Sequence, residues 1–239
     1  MHATTPVTTI LFDLDDTLFD HAGTARAALA ATAAGRPALQ QVPVEELYQR
    51  YSKLLEEMHP RVLSGQLSPP VARQLRFEQL LAPYERGISA AASRQVAEEH
   101  YGHYRRLRQP VAGALALLQR LKPAYQIGIV TNNRTDEQRE KLRVLGMSTL
   151  VDALITSEDV GVLKPDPAIF QVALQRLGAS PAATVLVGDN WEADVLGALA
   201  VGIRPLWLNR TGAARPLPHV GELTSLQPLA DVFHQIITP

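Results

Sequence analysis

The chain has 239 residues, of which 46% are apolar and 20% charged, and its formal net charge is -1. This length suits one large domain, or a core domain with an insertion, and the balance is typical of a globular protein with a real core. The absence of cysteine excludes disulfide bonds, thiolate metal sites and a cysteine nucleophile. The near-neutral charge gives no reason to expect nucleic acid or an anionic membrane as a partner.

The start of the chain, Met1–Pro6, lacks a basic segment followed by a long apolar core, so no secretory signal peptide is expected. No window approaches 18 consecutive apolar residues, and no membrane span is predicted. Together these features predict a cytoplasmic protein.

The first apolar run, Val-Thr-Thr-Ile-Leu-Phe at 7–12, predicts a short buried strand that ends on acidic residues. The following stretch, from about Leu18 to Gln109, contains no clear strand run. Its apolar residues recur at helical spacing, most clearly between Leu47 and Met58. Helices are predicted near residues 24–34, 44–58, 66–82 and 89–107, with breaks at Pro37, Pro43, Pro60, Pro69, Pro70 and Pro83.

The remainder of the chain alternates strand and helix patterns. A last helix is expected to be capped by Ser225 and to end near Ile237. Asp166 before a proline is a predicted helix N-cap, and Gly146 and Gly178 are predicted to end helices. Strands are predicted at 126–130, 153–155, 184–187 and 204–208, and helices at about 135–145, 167–177 and 191–200.

This alternation predicts an α/β protein with a doubly wound, Rossmann-like parallel sheet as its core. The helical block interrupts that core after its first strand and has the usual size of a separate subdomain. We therefore predict an α/β core domain at residues 1–17 and 110–239, and an inserted all-helical domain at 18–109.

Acidic residues follow the first strand directly, in the segment Asp13-Leu14-Asp15-Asp16-Thr17. Ligands of doubly wound sheets bind at the carboxyl ends of the strands. Carboxylates gathered there need compensation, and Mg²⁺ prefers oxygen ligands of this kind. Taken alone, the segment is explained equally well as an acidic turn with a helix cap.

Three later segments also place polar groups at predicted strand ends or before a helix. Thr131 and Asn132 follow the second strand and offer a hydroxyl and backbone N–H groups to phosphoryl oxygens. Lys164 precedes a proline-initiated helix and offers an ammonium group. Asp189 ends a strand, and Asp194 lies five residues on, so that both carboxylates could face one metal. Each segment alone also fits a polar turn, a surface lysine or a capped helix, but four coincident placements make chance a poor explanation.

The order and spacing of these residues resemble the haloacid dehalogenase (HAD) superfamily over essentially the whole chain. Asp13 to Thr17 match its first motif, DxDxT, and Asp16 replaces a glycine often found there. Thr131 matches the second motif, Lys164 the third, and Gly188-Asp189 with Asp194 the fourth. The helical block resembles the cap of the helical-cap subfamily. Within the family, the chain looks most like the pyrimidine 5′-nucleotidase and phosphoglycolate phosphatase-like enzymes.

The resemblance implies an enzyme that hydrolyses a small phosphomonoester, a nucleotide or a sugar or acid phosphate, with Mg²⁺ as cofactor. Asp13 is then the nucleophile that forms an aspartyl-phosphate, and Asp15 is the acid and base. Thr131, Asn132 and Lys164 are expected to bind phosphate. The implied metal ligands are the Asp13 carboxylate, the Asp15 backbone carbonyl and Asp189, supported by Asp194 and Thr17.

The helical block is expected to close over the substrate and to select the leaving group. Taken singly, each candidate arginine is better explained as part of a solvated helix face, and each candidate tyrosine as part of the helical core. His100 and His103, at i and i+3, are expected to be surface residues rather than a metal site. Both a monomer and a homodimer are compatible with the sequence. The candidates for selection are Arg73, Arg76, Tyr48, Tyr51, Tyr101 and Tyr104.

Two other classes of function remain open. A 2-haloacid dehalogenase would share the fold and nucleophile but would have no use for Asp15 as acid and base, or for a phosphate clamp. A non-catalytic binding or signalling protein of the same fold would need none of the motif residues intact. A receiver domain, which also combines acidic residues with Mg²⁺, is about half this length and lacks the helical insertion.

Overall fold

The computed structural model describes residues 5–238. The chain divides into two compact units, the first formed by Met1–Asp20 and Gln109–Pro239 and the second by His21–Arg108. Residues 1–4, which entered the expectation about a signal peptide, lie outside the described part. Within residues 5–238, no helix combines the length and the hydropathy needed to cross a bilayer.

The first unit is built on a six-stranded parallel sheet with the order β3-β2-β1-β4-β5-β6. Consecutive strands run outward from β1 in both directions, so the sheet reverses its winding beside β1 and opens a crevice at the carboxyl ends there. The strands are β1 (Thr9–Phe12), β2 (Gln126–Thr131), β3 (Ala153–Thr156), β4 (Thr184–Gly188), β5 (Arg204–Leu208) and β6 (Gly221–Leu223).

The predicted doubly wound α/β fold is confirmed, and all five predicted strands are present. The sixth strand was not predicted, because the three residues of β6 at the sheet edge contain no apolar run. Burial explains why other strands were recognisable as apolar runs in the sequence. Strands β1 and β4 are buried along their whole length, as strands covered on both faces must be.

The helices alternate with these strands in the first unit and form the whole of the second. In chain order they are α1 (His21–Ala34), α2 (Val44–Leu63), α3 (Pro69–Leu81), α4 (Ala90–Arg106), α5 (Ala114–Leu121), α6 (Thr135–Val144), α7 (Ser157–Val160), α8 (Pro167–Leu177), α9 (Gly197–Ala200) and α10 (Leu229–Ile237). Short 3₁₀ turns occur at Pro37–Leu39, Ser148–Leu150 and Pro181–Ala183, and a π-helical segment at Trp191–Leu196 precedes α9.

The capping predictions for α8 are confirmed. The Asp166 side chain accepts a hydrogen bond of 2.9 Å from the Ala168 N–H, and Gly178 ends the helix with a φ of 60°. Gly146 likewise follows α6 in the left-handed region, at 70°. Helix α8 then packs Phe170 and its apolar neighbours onto the sheet, where they form one buried cluster with strand residues such as Leu11.

Some local predictions are wrong. Helix α5 was not predicted, and Ser225 does not cap the last helix: its hydroxyl accepts from the Gln227 N–H in a turn, and α10 begins only at Leu229. Pro60 lies inside α2, in its last turn, rather than at a break. The helix predicted at 191–200 is split between the π-helical segment and α9.

The second unit is a bundle of α1 to α4 around aromatic and aliphatic side chains. The helical spacing seen in the sequence of α2 does bury Leu47, Tyr51, Leu54 and Met58. His100 on α4 is also buried, contrary to the expectation of a surface residue. The expectation of solvated arginines is wrong for Arg76, which is buried and donates to the Tyr51 hydroxyl at 3.0 Å.

Candidate active site

The sheet brings the acidic residues of two distant segments together at its carboxyl edge. Phe12 at the end of β1 pairs with Val187 of β4, so Asp13 and Asp189 leave neighbouring strands side by side. Carboxylate oxygens of Asp13, Asp189 and Asp194 lie within 4.8 Å of one another. The close spacing of three carboxylates follows directly from the strand register and from the π-helical segment that carries Asp194.

Gly188 is what allows Asp194 to approach the sheet. A Cβ atom at position 188 would lie 2.4 Å from the Asp194 carboxyl carbon, far inside van der Waals contact. The Asn190 N–H donates to Asp194 Oδ2 at 3.0 Å, while the Asn190 side chain accepts from the Ala193 N–H and caps the segment. The turn from β4 therefore places Asp194 beneath the end of the strand, almost fully buried.

One ammonium group joins two of these carboxylates. Lys164 Nζ donates to Asp13 Oδ1 and to Asp194 Oδ1, both at 2.6 Å, and to the Val130 carbonyl at 2.8 Å. Asn132 holds the backbone of the lysine: the Lys164 N–H donates to Asn132 Oδ1 at 2.7 Å, and Asn132 Nδ2 donates to the Lys164 carbonyl at 3.0 Å. The side chain of Asn132 thus supports Lys164, and binding of phosphate by either residue stays a prediction.

The buried cluster has more negative than positive groups. Burial raises the pKa of Asp13 well above its usual range, against the opposing effect of Lys164. Burial likewise raises the pKa of Asp189, and the charges of Asp13 and Asp194 add to that shift. For Lys164, burial would lower the pKa, but Asp13 and Asp194 outweigh it and hold the pKa above its ordinary value. One cation is therefore insufficient for three clustered carboxylates, of which Asp13 and Asp194 are buried and Asp189 is partly buried.

These residues fit a divalent cation. Their donor atoms are carboxylate oxygens, which hard cations such as Mg²⁺ prefer, and the excess of buried negative charge is what such an ion would offset. Asp189 is oriented for this task. Thr17 donates its hydroxyl to Asp189 Oδ1 at 3.2 Å and accepts from the Asp189 N–H at 3.1 Å, and the Trp207 indole N–H donates to the Asp189 carbonyl at 2.7 Å.

Asp15 turns away from this cluster, toward helix α6. Lys141 Nζ donates to Asp15 Oδ1 at 2.6 Å, and Gln138 Nε2 and Asn133 Nδ2 donate to Asp15 Oδ2 at 3.0 and 3.3 Å. Gln138 Nε2 also donates to the Thr131 hydroxyl at 2.7 Å. The Asp15 side chain is therefore not one of the three clustered carboxylates; the predicted metal contact through its backbone carbonyl stays a prediction.

Sequence reasoning missed Gln138 and Lys141. Both are almost completely buried, but nearly every residue of α6 is charged or polar, so the residue types do not distinguish the inward face. The available signal was their i, i+3 spacing on a helix that follows Thr131 directly. Combined with the predicted end of β2, that spacing would have placed one face of the helix beside the site.

The loop after Asp13 is held in an unusual backbone conformation. Asp16 has a φ of 62°, in the left-handed region that favours glycine. Its N–H donates to the Phe19 carbonyl at 2.7 Å, and Arg210 Nη1 donates to the Asp16 carbonyl at 3.2 Å. Arg210 Nη2 also donates to Asp20 Oδ1 at 3.0 Å, so one guanidinium supports the loop at two points.

The fold and site together define an α/β enzyme with an acidic centre at the switch point of its sheet. The model of the haloacid dehalogenase-like hydrolase family matches residues 7–202. The chain is 31% identical to the glyceraldehyde 3-phosphate phosphatase of Methanothermobacter thermautotrophicus over 207 residues, which are 84% of each protein. We conclude that the chain belongs to the haloacid dehalogenase-like hydrolase family, as its motifs predicted.

Two further similarities bear on function. The chain is 38% identical over 108 residues to the pyrimidine 5′-nucleotidase YjjG of Escherichia coli, a match that spans 48% of that protein and 45% of this chain. A crystal structure of the 2-haloacid dehalogenase of Pseudomonas syringae pv. tomato superposes with a TM-score of 0.62 and 29% identity, covering 96% of this chain and 99% of that one. Relatives of both chemistries therefore share the fold.

Proposed function

We propose that this hydrolase is a Mg²⁺-dependent phosphatase of small phosphomonoesters, with Asp13 as its covalent nucleophile. The observation that carries the proposal is the cluster of Asp13, Asp189 and Asp194 at the carboxyl edge of the sheet, in which the Lys164 ammonium pairs with Asp13 and Asp194. The activity named for the Methanothermobacter and Escherichia coli relatives supports the same class of reaction.

In the first step, a carboxylate oxygen of Asp13 attacks the phosphorus atom of the ester. Lys164 holds Oδ1 at 2.6 Å, so Oδ2 is the atom that bonds to phosphorus. The P–O bond to the leaving group breaks, and its electron pair stays with the leaving oxygen. Asp15 gives that oxygen a proton, and an alcohol departs.

In the second step, water hydrolyses the aspartyl-phosphate. Asp15, now ionised, takes a proton from the water molecule as its oxygen attacks phosphorus. The bond between phosphorus and Asp13 breaks, and the carboxylate is regenerated with inorganic phosphate as product. Thr131 donates its hydroxyl to a phosphoryl oxygen, and Asn132 keeps Lys164 in place to stabilise the developing negative charge.

The metal would be held by Asp13 and Asp189, with the Asp15 carbonyl as a further ligand and Asp194 and Thr17 in support. When bound, Mg²⁺ supplies positive charge that offsets the repulsion between an anionic nucleophile and an anionic ester. The chain's own residues prepare this position, because Thr17 and Trp207 fix the side chain and the carbonyl of Asp189.

We also propose that the helical unit His21–Arg108 is the cap domain that the family resemblance implies. The candidate partners are small phosphate esters, nucleotides or sugar and acid phosphates, rather than nucleic acid polymers or membranes. We propose a cytoplasmic protein, either monomeric or homodimeric.

A 2-haloacid dehalogenase is the alternative, supported by the similarity to the Pseudomonas syringae structure. In that reaction, a carboxylate would displace halide from carbon, and no proton would be needed by the leaving group. The donors gathered around Asp15 favour phosphate chemistry, since they hold a second carboxylate in the site that halide displacement would not use.

The deciding experiment measures phosphate release from a panel of nucleoside monophosphates, sugar phosphates and phosphorylated acids, with Mg²⁺ and with a chelator. We expect metal-dependent release that falls by at least ~10⁴-fold in Asp13→Asn, whose amide is not a nucleophile. Chloride release from 2-chloropropionate is assayed in parallel. Chloride release without phosphate release would establish the alternative, and full phosphatase activity in Asp13→Asn would exclude the covalent mechanism.

Binding of the metal has a separate readout. Both tryptophans of the protein lie beside Asp189: Trp207 donates to its carbonyl, and Trp191 packs edge-on against Trp207 with ring centroids 4.9 Å apart. Mg²⁺ should therefore change the intrinsic fluorescence in a saturable manner, and Asp189→Asn should weaken that response. A wild-type spectrum unaffected by millimolar Mg²⁺ would count against a metal at this position.

A further inference from the structure

Two polar side chains of α6 occupy positions that a helix normally gives to apolar residues. Gln138 is 0% exposed and Lys141 is 2% exposed, one helical turn apart on the face turned to the sheet. Burying a lysine and a glutamine carries a desolvation cost, and replacing a buried ion pair with apolar residues is often neutral or stabilising. Packing alone therefore does not account for this choice of residues.

Both side chains are directed at one carboxylate. Lys141 Nζ reaches Asp15 Oδ1 at 2.6 Å, and its ammonium lies 5.0 Å from the centre of the Phe19 ring, which fills the space beside it. Gln138 Nε2 reaches Asp15 Oδ2 at 3.0 Å. Each oxygen of the carboxylate thus has its own donor from α6, and two donors on two atoms fix the plane of the group as well as its position.

The Gln138 amide has a second partner that belongs to the same site. Its nitrogen also donates to Thr131 Oγ1 at 2.7 Å, so the Thr131 hydroxyl accepts there and its own proton must point elsewhere. The amide cannot be turned over, because its oxygen would then face the Asp15 carboxylate. Gln138 Oε1 is buried and finds no hydrogen-bond partner among residues 5–238, a cost that the two donated bonds must outweigh.

We infer that Gln138 and Lys141 are positioning residues, which hold Asp15 in the orientation needed for proton transfer and set the direction of the Thr131 hydroxyl. This inference rests on the proposed phosphatase function, in which Asp15 protonates the leaving oxygen. Both residues act through Asp15 rather than directly on the substrate. Without these two donors, Asp15 would be held less firmly, by contacts such as the longer hydrogen bond of 3.3 Å from Asn133, and would spend less of its time within reach of the leaving oxygen.

The test uses leaving groups that differ in their need for a proton. An alkyl phosphate releases an alkoxide, which must be protonated, whereas p-nitrophenyl phosphate releases a phenolate that is stable as an anion. The ratio kcat/KM covers only the steps up to loss of the leaving group, so it isolates the acid function of Asp15. The ratio of kcat/KM for glycerol phosphate to that for p-nitrophenyl phosphate is compared among variants.

We expect Lys141→Met to lower this ratio by roughly tenfold or more, a part of the ~10²–10⁴-fold that general acid catalysis supplies. Lys141→Arg, which keeps a cation, should recover part of the loss. Gln138→Leu should lower the ratio and also weaken inhibition by inorganic phosphate several-fold, through the misdirected Thr131 hydroxyl, whereas Lys141→Met should leave that inhibition unchanged. Asp15→Asn gives the full loss for comparison.

The matched control is Lys122→Met in the same unit, since Lys122 forms an ion pair with Asp152 that is partly exposed to solvent. It should leave the ratio unchanged. Thermal unfolding shows whether each variant is folded. If Lys141→Met does not fold, Gln138→Leu still tests the inference. Equal loss on both esters in folded variants, or no loss, would overturn the positioning role. Absence of phosphate release by the wild-type protein would instead overturn the proposed function.

Discussion

The candidate site has more carboxylates than cations, and this imbalance explains the contacts of its individual residues. Lys164 donates its three hydrogens to two carboxylates and one carbonyl, whereas the Asp189 carboxylate accepts a hydrogen bond from the Thr17 hydroxyl. The arrangement is stable only because Lys164 stays charged, as its raised pKa indicates, with burial opposing and the two aspartates favouring the ammonium form. A single substitution at Lys164 should therefore affect folding as well as chemistry.

We expect Lys164→Met to lower the free energy of unfolding by about 3–5 kcal/mol, because two buried carboxylates lose their cation. Phosphate release should also be lost. Chemical denaturation and the phosphatase assay measure the two effects. Lys122→Met removes an ion pair whose partners are about one third exposed and should cost at most about 1 kcal/mol. A Lys164→Met protein as stable as the wild type would contradict the charge balance described for the site.

Position 188 requires glycine because the Asp194 side chain lies directly against its backbone. In Gly188→Ala, the new methyl group would meet the Asp194 carboxyl carbon at 2.4 Å, so Asp194 must move away from Asp13 and Lys164. We expect at least tenfold weaker Mg²⁺ binding in the fluorescence titration and a corresponding loss of activity. Gly35→Ala, where the new methyl group would make only ordinary contacts at 3.6 and 3.7 Å, is the control. Unchanged Mg²⁺ affinity in Gly188→Ala would show that Asp194 has no part in holding the metal.

Among the secondary-structure elements, α4 carries the most unusual buried face. His100 packs against Phe77 and Tyr51 with ring centroids 4.8 and 5.1 Å apart, and its Nε2 finds no hydrogen-bond partner in the described chain. Burial lowers the pKa of His100 from 6.5 to about 3, and nearby positive groups add to the shift. The imidazole is therefore neutral in the folded protein. The charged or titratable groups around it are Arg73, Arg76, His21, His103, Tyr51 and Tyr104.

This shift predicts a dependence of stability on pH. Well above pH 6.5 the histidine is neutral in both states, and its contribution to stability is at its full value. Between pH 6.5 and about 3 only the unfolded chain binds the proton, so stability falls with falling pH by about 1.4 kcal/mol per pH unit. His100→Phe should remove about 2 kcal/mol of the loss between pH 6.5 and pH 5.

Urea denaturation at a series of pH values measures this effect in wild type and variant. His219→Ala, at an exposed histidine, should follow the wild-type curve. If His100→Phe and wild type lose stability in parallel below pH 6.5, the buried histidine does not control the acid sensitivity of the protein.

Across the whole molecule, the chain leaves and re-enters the first unit at neighbouring positions. The Asp20 N–H donates to the Gln109 carbonyl at 3.0 Å, and Gln109 Nε2 donates to Asp20 Oδ2 at 3.2 Å. The 88 residues between them, His21–Arg108, form the other unit. A short linker could replace that segment without displacing any strand.

We expect a protein in which a short glycine-serine linker joins Asp20 directly to Gln109 to fold by itself. It should unfold cooperatively and show the same Mg²⁺-dependent change of tryptophan fluorescence, because Trp191, Trp207 and Asp189 all belong to the retained unit. The isolated segment His21–Arg108 should be helical by circular dichroism. A deletion protein without a cooperative transition would contradict the predicted two-domain organisation.

The sequence by itself determined the class of fold, and it predicted which strand ends carry the candidate site. Apolar runs that end on Asp13, Thr131 and Asp189 identify buried parallel strands, since strands covered on both faces need continuous apolar residues. Polar residues at the ends of such strands must meet at one edge of the sheet. Local capping signals such as Asp166 and Gly178 were equally readable, because they act within a few residues of the chain.

Only the tertiary structure decided which side chains meet. Lys164 lies 151 positions from Asp13, and Lys141 lies 126 positions from Asp15, and no local pattern relates such partners. The inward face of α6 was hidden because buried and exposed positions there have the same polar residue types. The burial of His100 could not be predicted because it depends on side chains of other helices, such as Tyr51 and Phe77, which pack around the imidazole. Contacts between distant segments depend on packing in three dimensions, which periodicity along one segment does not encode.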